Sequence, residues 1–240
     1  MAETNIRAPV AELEDLTAKI ARMGGLAESQ LTDCLEAALR RDSDLAQKVI
    51  SRDVAIDALE QEVEEDCVRL LALRHPMAGD LRAVVAAMKI SIDLERIGDL
   101  SKNVSKRTLV LNREEPVKLI QGLGRMGRQA LAQLKEVLDA YSLGEPDRAV
   151  AVWRRDEEID ELYNSLFREF LTYMMEDPRT IGLCTHLLFI AKNIERIGDH
   201  ATNIAEIVYF CHKGRHISEA RPKGDVTSVM RIESEPGESS

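Results

Sequence analysis

The chain has 240 residues, with 32 lysines and arginines against 42 aspartates and glutamates, so its formal net charge is −10. This charge excludes nucleic acid or an anionic membrane as the main partner, because both repel an acidic surface. Apolar residues make up 45% of the chain, which excludes disorder for most of it. With 13 Gly, 7 Pro and only 4% aromatic residues, in a chain rich in Ala, Leu, Glu, Arg and Asp, the composition indicates an all-α protein.

The distribution of apolar residues and cysteines predicts a cytoplasmic protein. Purely apolar runs such as 187–191 are far shorter than the roughly 20 residues that cross a bilayer. The first residues carry acidic side chains and no apolar segment, so no secretory signal is expected. The four cysteines form no CxxC pair and no zinc-type spacing, and we expect them to be reduced packing residues.

The chain contains an internal duplication. Residues 44–59 align without gaps with residues 147–162, and residues 94–104 align with residues 194–204 around a shared ERIGD pentapeptide. The two alignments are displaced by 103 and 100 residues, so both halves have nearly the same internal layout. A repeat of this kind predicts two copies of one structural unit.

Apolar periodicity and helix breakers predict three helices in each half. In chain order they cover residues 10–40, 44–73, 78–111, 123–143, 147–175 and 180–212. Because helices this long with few breaks are typical of bundles, the sequence predicts two tandem three-helix bundles that pack on each other or in line. We expect the bundles at residues 8–112 and 117–217, and a disordered tail at residues 218–240.

Acidic side chains recur at helical spacing in both halves. Each half has one i,i+4 acidic pair in its second helix and one in the ERIGD motif of its third helix, which Asn103 or Asn203 extends by a turn. The four pairs are Asp53 with Asp57, Glu95 with Asp99, Asp156 with Asp160, and Glu195 with Asp199. Because the core stripe follows other positions, such as Leu94 and Ile97, we expect the acidic stripe to be a surface feature.

Two interpretations of these acids remain open. In the first, neighbouring arginines neutralise them in ordinary ion pairs; the candidates are Arg52, Arg96, Arg155 and Arg196. Alternatively, the acids hold a cation. Oxygen ligands without cysteine favour Mg²⁺, Ca²⁺, Mn²⁺ or iron over a closed structural zinc site. Shared coordination requires the two pairs of one bundle to lie within about 10 Å of each other.

Two further features bear on this site. Gly98 and Gly198 lie inside the ERIGD helices, where glycine costs about 1 kcal/mol relative to alanine, so we expect a neighbouring helix to approach closely there. His200 follows Asp199 and is a candidate ligand in the second half only, because Leu100 stands at the matching position of the first half.

Several motifs resemble those of the PhoU family. They are the paired ERIGD segments, RHPMAGDLR between them, MEDPRTI before the last helix, and IERIGDHATNIAE near the carboxyl end; together the resemblance covers residues 8–217. It implies two tandem three-helix bundles and a role in restraining the phosphate-starvation response. The family acts between a phosphate-specific ABC transporter and a membrane-bound sensor histidine kinase.

The resemblance also implies a metal. Some family members carry surface iron or zinc clusters held by E/DxxxD motifs, which match the eight acids of the four pairs above. We therefore expect metal ions of the iron, zinc, manganese or magnesium type. The chain departs from the family in two respects. It has a tail beyond His216, and Leu100 stands in the first half where the second half has His200.

Taken together, these features predict a non-enzymatic, metal-binding adaptor that is peripheral to the membrane through its partners. The expected partners are the ATPase subunit of the phosphate transporter and the phosphate-sensing kinase, with a homodimer as the expected assembly. One alternative is a carboxylate-bridged di-metal enzyme on a helical bundle. Against it, the chain has no Glu-x-x-His pair and no Gly-rich phosphate loop. The other alternative is a purely structural helical protein with solvated acids.

Overall fold

The computed structural model describes residues 3–115 and 120–224, with side chains from residue 11. Within these two stretches the chain forms helices and no strand, which confirms the all-α class. The α-helices are α1 (Glu3–Arg40), α2 (Ser43–Arg52), α3 (Val54–Arg74), α4 (Gly79–Leu111), α5 (Ile120–Leu143), α6 (Pro146–Trp153), α7 (Asp156–Glu176) and α8 (Ile181–Lys213). A short 3-10 helix, Pro178–Thr180, precedes α8.

The duplicated architecture is confirmed, with α1–α4 forming the first bundle and α5–α8 the second. The expected boundary between the bundles includes residues 116–119, which lie outside the described residues. The same holds for residues 225–240 of the tail that we expect to be disordered. Residues 218–224 are described, and they contact the second bundle through the Arg221 side chain and the Gly224 backbone amide.

Helix ends follow local chemistry. The Asp42 carboxylate accepts a hydrogen bond from the Leu45 amide at 2.9 Å and so begins α2. Pro146 stands in the first turn of α6, where its missing N–H costs nothing. Gly144 and Gly214 both adopt a φ of +67°, a left-handed conformation that ends α5 and α8 without the strain a side chain would cause.

The second helix of each bundle is interrupted, whereas the sequence predicts one continuous helix. The interruption lies at Asp53 in the first bundle and at Arg154 and Arg155 in the second. A buried glutamine of the first helix faces each one. With its amide turned to suit both neighbours, Gln30 accepts from the Asp53 amide at 3.2 Å. Gln133 donates to the Arg155 carbonyl at 2.9 Å. These side-chain bonds satisfy backbone groups that the interruption leaves outside the helical ladder.

The two bundles pack through their long helices. Arg82 of α4 donates to the Cys211 carbonyl of α8 at 3.1 Å, whereas Arg107, further along α4, lies 3.4 Å from His186 near the start of α8. Because the partners run in opposite directions, α4 and α8 are antiparallel. Helix α1 also packs against α5. Within residues 3–115 and 120–224, no helix is both long and apolar enough to span a membrane.

Core residues fall where the periodicity places them. Leu94, Ile97, Ser101 and Val104 of α4 are fully buried, which confirms the predicted stripe. Cys34, Cys67 and Cys184 are buried, Cys211 is half-buried, and all four are free thiols, as expected for packing residues.

The glycines of the ERIGD helices mark close approach of the preceding helix. A Cβ added to Gly98 would lie 3.0 Å from Ile56 Cδ1, and one added to Gly198 would lie 2.6 Å from Ile159 Cδ1. The expectation that these glycines serve packing is therefore confirmed. The close approach brings the acids of the two helices to one place in each bundle.

Candidate functional site: two acid clusters

The first acid cluster consists of Asp53, Asp57, Glu95 and Asp99. Lys102 lies between its two aspartates from different helices: the lysine Nζ donates to Asp53 Oδ2 and, at 3.2 Å, to Asp99 Oδ1. The hydrogen bond to Asp53 raises the pKa of Lys102, so the ammonium stays charged. Since one nitrogen contacts both carboxylates, the two pairs of the bundle meet well within the 10 Å that shared coordination requires.

The second acid cluster consists of Asp156, Asp160, Glu195 and Asp199. Arg221, from the segment after α8, occupies its centre. The guanidinium donates to both carboxylate oxygens of Asp156, at 2.6 and 3.0 Å, and to Asp199 Oδ1 at 2.6 Å. It also donates to Asn203 Oδ1 at 3.0 Å. This bidentate contact with Asp156 is the strong, directional form of an arginine–carboxylate bond.

The two clusters take their cations from different parts of the chain. In the repeat, Lys102 of α4 corresponds to Thr202 of α8, a residue without charge. Thr202 Oγ1 donates to Asp156 Oδ1 at 2.8 Å, and Arg221 supplies the positive charge. The tail therefore completes the second cluster as the helix completes the first.

Burial perturbs the remaining acids of both clusters. It raises the pKa of Glu195 to about 7, and the hydrogen bond from Lys192 at 3.0 Å opposes this only in part. Burial also raises the pKa of Glu95 and of Asp57, whose pKa the charge on Asp53 raises further. The like charges on neighbouring members add to each shift, which is the expected cost of gathering carboxylates.

The expectation that the acids form a surface stripe is wrong for half of them. Asp53 is 2% exposed and Glu195 4% exposed, and Asp156 and Asp160 are also buried. Asp53, Asp156 and Asp160 lie at or directly after the interruption of the second helix, where they face the third helix, whereas Glu195 is buried on α8 itself. Asp57, Glu95, Asp99 and Asp199 are partly exposed, so each cluster has a buried base and a more open rim.

Two of the four predicted arginine partners pair with acids outside the clusters. Arg52 pairs with Asp33 at 2.8 Å and Arg155 pairs with Glu136, both outside the clusters. Arg96 lies 3.4 Å from Glu95 and 3.9 Å from Asp99, at the exposed rim. Arg196 is exposed on α8.

Sequence reasoning missed the cations that complete the clusters. Lys102 lies three residues after Asp99, a spacing that places both on one helix face and gave a usable signal. Gln30 and Gln133 occupy equivalent positions in the repeat, and this equivalence was a second signal, which concerns the interrupted helices that carry the acids. No local signal identifies Arg221, because its contacts with Asp156 span 65 residues.

In the structure a protein cation occupies the centre of each acid cluster. Among the residues the structure describes, no group of three or more His, Cys, Asp and Glu side chains is arranged to hold a metal ion. Lys102 and Arg221 lie where a bound cation would contact both acid pairs. In this arrangement the carboxylate oxygens bind an ammonium in the first cluster and a guanidinium in the second.

His200, the candidate ligand of the second half, belongs to the contact between bundles. Its Nδ1 lies 2.7 Å from Asp93 Oδ1 of α4, and Asn203 Nδ2 lies 3.4 Å from the same oxygen. These contacts link the second bundle to the first, and the matching Leu100 is buried.

Comparison with known proteins gives a consistent result. The family described as "PhoU domain" matches residues 20–108 and 123–208, one copy in each bundle. The chain is 55% identical over 229 residues to the phosphate-specific transport system accessory protein PhoU homolog of Caulobacter vibrioides, covering 95% of this chain and 100% of that one. It is 40% identical over 210 residues to the PhoU protein of Escherichia coli, covering 86% and 87% of the two chains.

Comparison with solved structures gives the same result as comparison with the sequences. A crystal structure of PhoU from Pseudomonas aeruginosa matches with a TM-score of 0.83 and 40% identity, over 85% of this chain and 99% of that one. The phosphate transport system regulatory protein PhoU from Streptococcus pneumoniae matches with a TM-score of 0.82 and 30% identity, over 88% and 100%. These relatives are named as accessory or regulatory proteins, not as enzymes. On the match of both bundles and on these identities, the chain belongs to the PhoU family.

Proposed function

We propose that this chain is a cytoplasmic regulator of phosphate uptake that acts by binding and not by catalysis. It restrains the phosphate-starvation response by contacting the ATPase subunit of a phosphate-specific ABC transporter and a phosphate-sensing histidine kinase. Family membership and the printed names of the relatives support the phosphate-transport part. The adaptor role and the two partners go beyond what those names state and are part of the proposal.

The observation that carries the proposal is the duplication of a charged cluster on two rigid helical bundles. Each cluster gathers four acids from two helices at a cost in burial and like-charge repulsion, as the raised pKa of Glu195 indicates. Such a cost without a catalytic group nearby favours recognition of a positively charged partner. The partly exposed rim residues, such as Asp99, remain accessible to that partner.

A second feature fits an adaptor. The turn between α3 and α4 exposes Leu73, Met77 and Leu81, and Met77 is 79% exposed. The corresponding turn between α7 and α8 exposes Met175, at 76%, and Ile181. Large exposed apolar side chains at equivalent turns favour contact with other proteins, because flexible methionines adapt to varied partners.

Metal ions of the iron, zinc, manganese or magnesium type stay within the proposal. A metal at either acid cluster requires the residue now at its centre, Lys102 or Arg221, to move away. Metal analysis of protein purified without chelators, compared with Glu95→Gln/Glu195→Gln protein, tests this part independently of regulation. Protein without metal, together with full regulation in the variant, removes the metal and leaves the adaptor.

The adaptor is tested by deleting the gene and assaying a phosphate-regulated reporter. We expect derepression in high phosphate, restored by the wild-type gene. Unchanged reporter expression in the deletion strain contradicts the proposal. Co-purification from phosphate-replete cells then scores the transporter and kinase subunits.

Matched variants locate the binding surface. Met77→Asp and Met175→Asp change the exposed turns, whereas Val68→Asp changes an exposed apolar residue on the side of α3. We expect the turn variants to lose partner subunits and the control to retain them. Equal recovery with all three variants removes the turns from the contact surface. The homodimer predicted from the sequence is tested in the same preparations by sedimentation.

A further inference from the structure

Residues 221–224 lie across the second acid cluster and engage three of its four acids. Arg221 contacts Asp156 and Asp199, and Lys223 Nζ lies 3.5 Å from Asp199 Oδ1. The Gly224 amide donates to Asp160 Oδ2 at 2.8 Å. The segment therefore binds through both side chains and backbone.

The last residue of this segment is also fitted to its position. The Gly224 carbonyl accepts a hydrogen bond from Asn164 Nδ2 at 2.6 Å. A Cβ on Gly224 would lie 3.3 Å from the Asp160 Cβ and 3.7 Å from the Glu157 Cβ, a tight contact against α7. Two hydrogen bonds to α7, together with the close packing of Gly224 against that helix, distinguish this contact from a loose surface ion pair.

The two clusters differ in whether their cation is able to leave. Lys102 is part of α4, so it stays near the first cluster as long as the helix is folded. Arg221 follows the end of α8 by eight residues and has no regular secondary structure around it. If it leaves, the hydroxyl of Thr202 is the one hydrogen-bond donor that buried Asp156 keeps within the part of the chain that the structure describes. A buried carboxylate without a cation is costly, so departure of the segment favours replacement by another positive group.

We propose that the second acid cluster is a docking site for an arginine-bearing segment, which the chain fills in cis with its own residues 221–224. Release of this segment uncovers the site for a basic segment of a partner, while the first cluster stays closed. This proposal rests on the part of the proposed function in which the acid clusters recognise a positively charged partner, and it assigns that recognition to the second cluster. Its test measures the tail directly, so it can fail while the role in phosphate regulation stands, and the reverse.

The test is limited proteolysis of the full-length chain by trypsin, scored by initial rates. Cleavage after Lys223 requires the bound segment to detach, whereas cleavage after exposed Arg215 is the internal reference. Trypsin does not cut after Arg221, because Pro222 follows it. We expect slow cleavage after Lys223 in the wild type and at least tenfold faster cleavage, relative to the reference, in Arg221→Gln.

Variants of the acids separate docking from general stability. Asp156→Asn is expected to accelerate cleavage after Lys223 as Arg221→Gln does. Asp53→Asn, the equivalent change in the first cluster, is expected to leave that rate unchanged. Thr202→Lys gives the second cluster the lysine of the first and is expected to release the segment without removing an acid. Circular dichroism melts confirm that each variant is folded.

A peptide tests whether the site accepts a segment in trans. The peptide has the sequence of residues 218–224 with Lys223→Met, so that trypsin leaves it intact. At millimolar concentration, comparable to the effective concentration of a tethered segment, it is expected to speed wild-type cleavage after Lys223 about twofold or more. The same peptide with Arg221→Gln is expected to have no effect.

Several results overturn the proposal. Equal relative rates in wild type and Arg221→Gln show that the segment is not held. Equal acceleration by Asp53→Asn and Asp156→Asn shows a stability effect. Failure of the arginine peptide to compete removes docking in trans, and protection that depends on protein concentration assigns the bound segment to a second copy of the chain.

Discussion

Glu195 offers a quantitative test of how the second acid cluster affects stability. The residue is 4% exposed, and burial raises the pKa of its carboxyl from an ordinary value of 4.5 to about 7. In the unfolded chain the carboxyl loses its proton near pH 4.5, whereas in the folded protein it keeps the proton up to about pH 7. Between these values the folded state binds more protons, so the free energy of unfolding falls as the pH rises.

The size of the effect follows from the shift. The rise in pKa from 4.5 to about 7 lowers the free energy of unfolding by about 3 kcal/mol above pH 7. Below about pH 4 it has no effect, because the carboxyl is protonated in both states. Glu195→Gln removes the ionisation and keeps an oxygen that accepts from Lys192. We therefore expect the variant to unfold with about 3 kcal/mol more free energy than the wild type at pH 8, and with a similar free energy at pH 4.

Urea unfolding at a series of pH values, with a chelator present, measures this difference. Glu95→Gln is the matched control: burial raises the pKa of Glu95 as well, but its side chain is 22% exposed, so we expect a smaller gain. A difference between Glu195→Gln and the wild type that stays constant from pH 4 to pH 8 would refute the argument. So would a variant that is less stable than the wild type at pH 8.

Two further changes probe the first acid cluster and the glycine contact. Lys102→Met leaves buried Asp53 without its ammonium, and since the lysine is 26% exposed we expect a loss of about 2 to 3 kcal/mol, mostly recovered in the double variant with Asp53→Asn. No recovery in urea unfolding would contradict the pairing. Gly198→Ala forces Ile159 to shift and is expected to lower the melting temperature, whereas Gly25→Ala, with no atom within 4 Å, is expected to raise it. Equal shifts would contradict the close packing.

Much of the fold was predictable from the sequence, because its main determinants are periodic or local. The repeat predicts two bundles, and the apolar stripe around Leu94 and Ile97 predicts the buried face of α4. The mid-helix glycines, Gly98 and Gly198, predict the close approach that brings the acids together. Each of these signals lies within one helix or one repeat.

The interruption of the second helix was not predictable by the same means. No proline or glycine marks Asp53 or Arg154. The interruption depends on tertiary partners. The buried side chains of Gln30 and Gln133 form hydrogen bonds with the backbone amide of Asp53 and the backbone carbonyl of Arg155. Helix propensity carries no information about such partners, so the sequence alone predicts one continuous helix whose acids form a surface stripe.

The asymmetry between the clusters shows how duplication and divergence act on a buried charge. A carboxylate as buried as Asp53 or Asp156 requires a cation or a set of donors in any folded copy of the bundle. The lysine at position 102 meets this need within the helix, whereas threonine at position 202 makes the second bundle depend on Arg221, beyond the end of α8. The charge balance of the first cluster is therefore a local property of its bundle. That of the second cluster is set by a terminal segment, so a change in the tail alters the charge of the second bundle and leaves the first as it was.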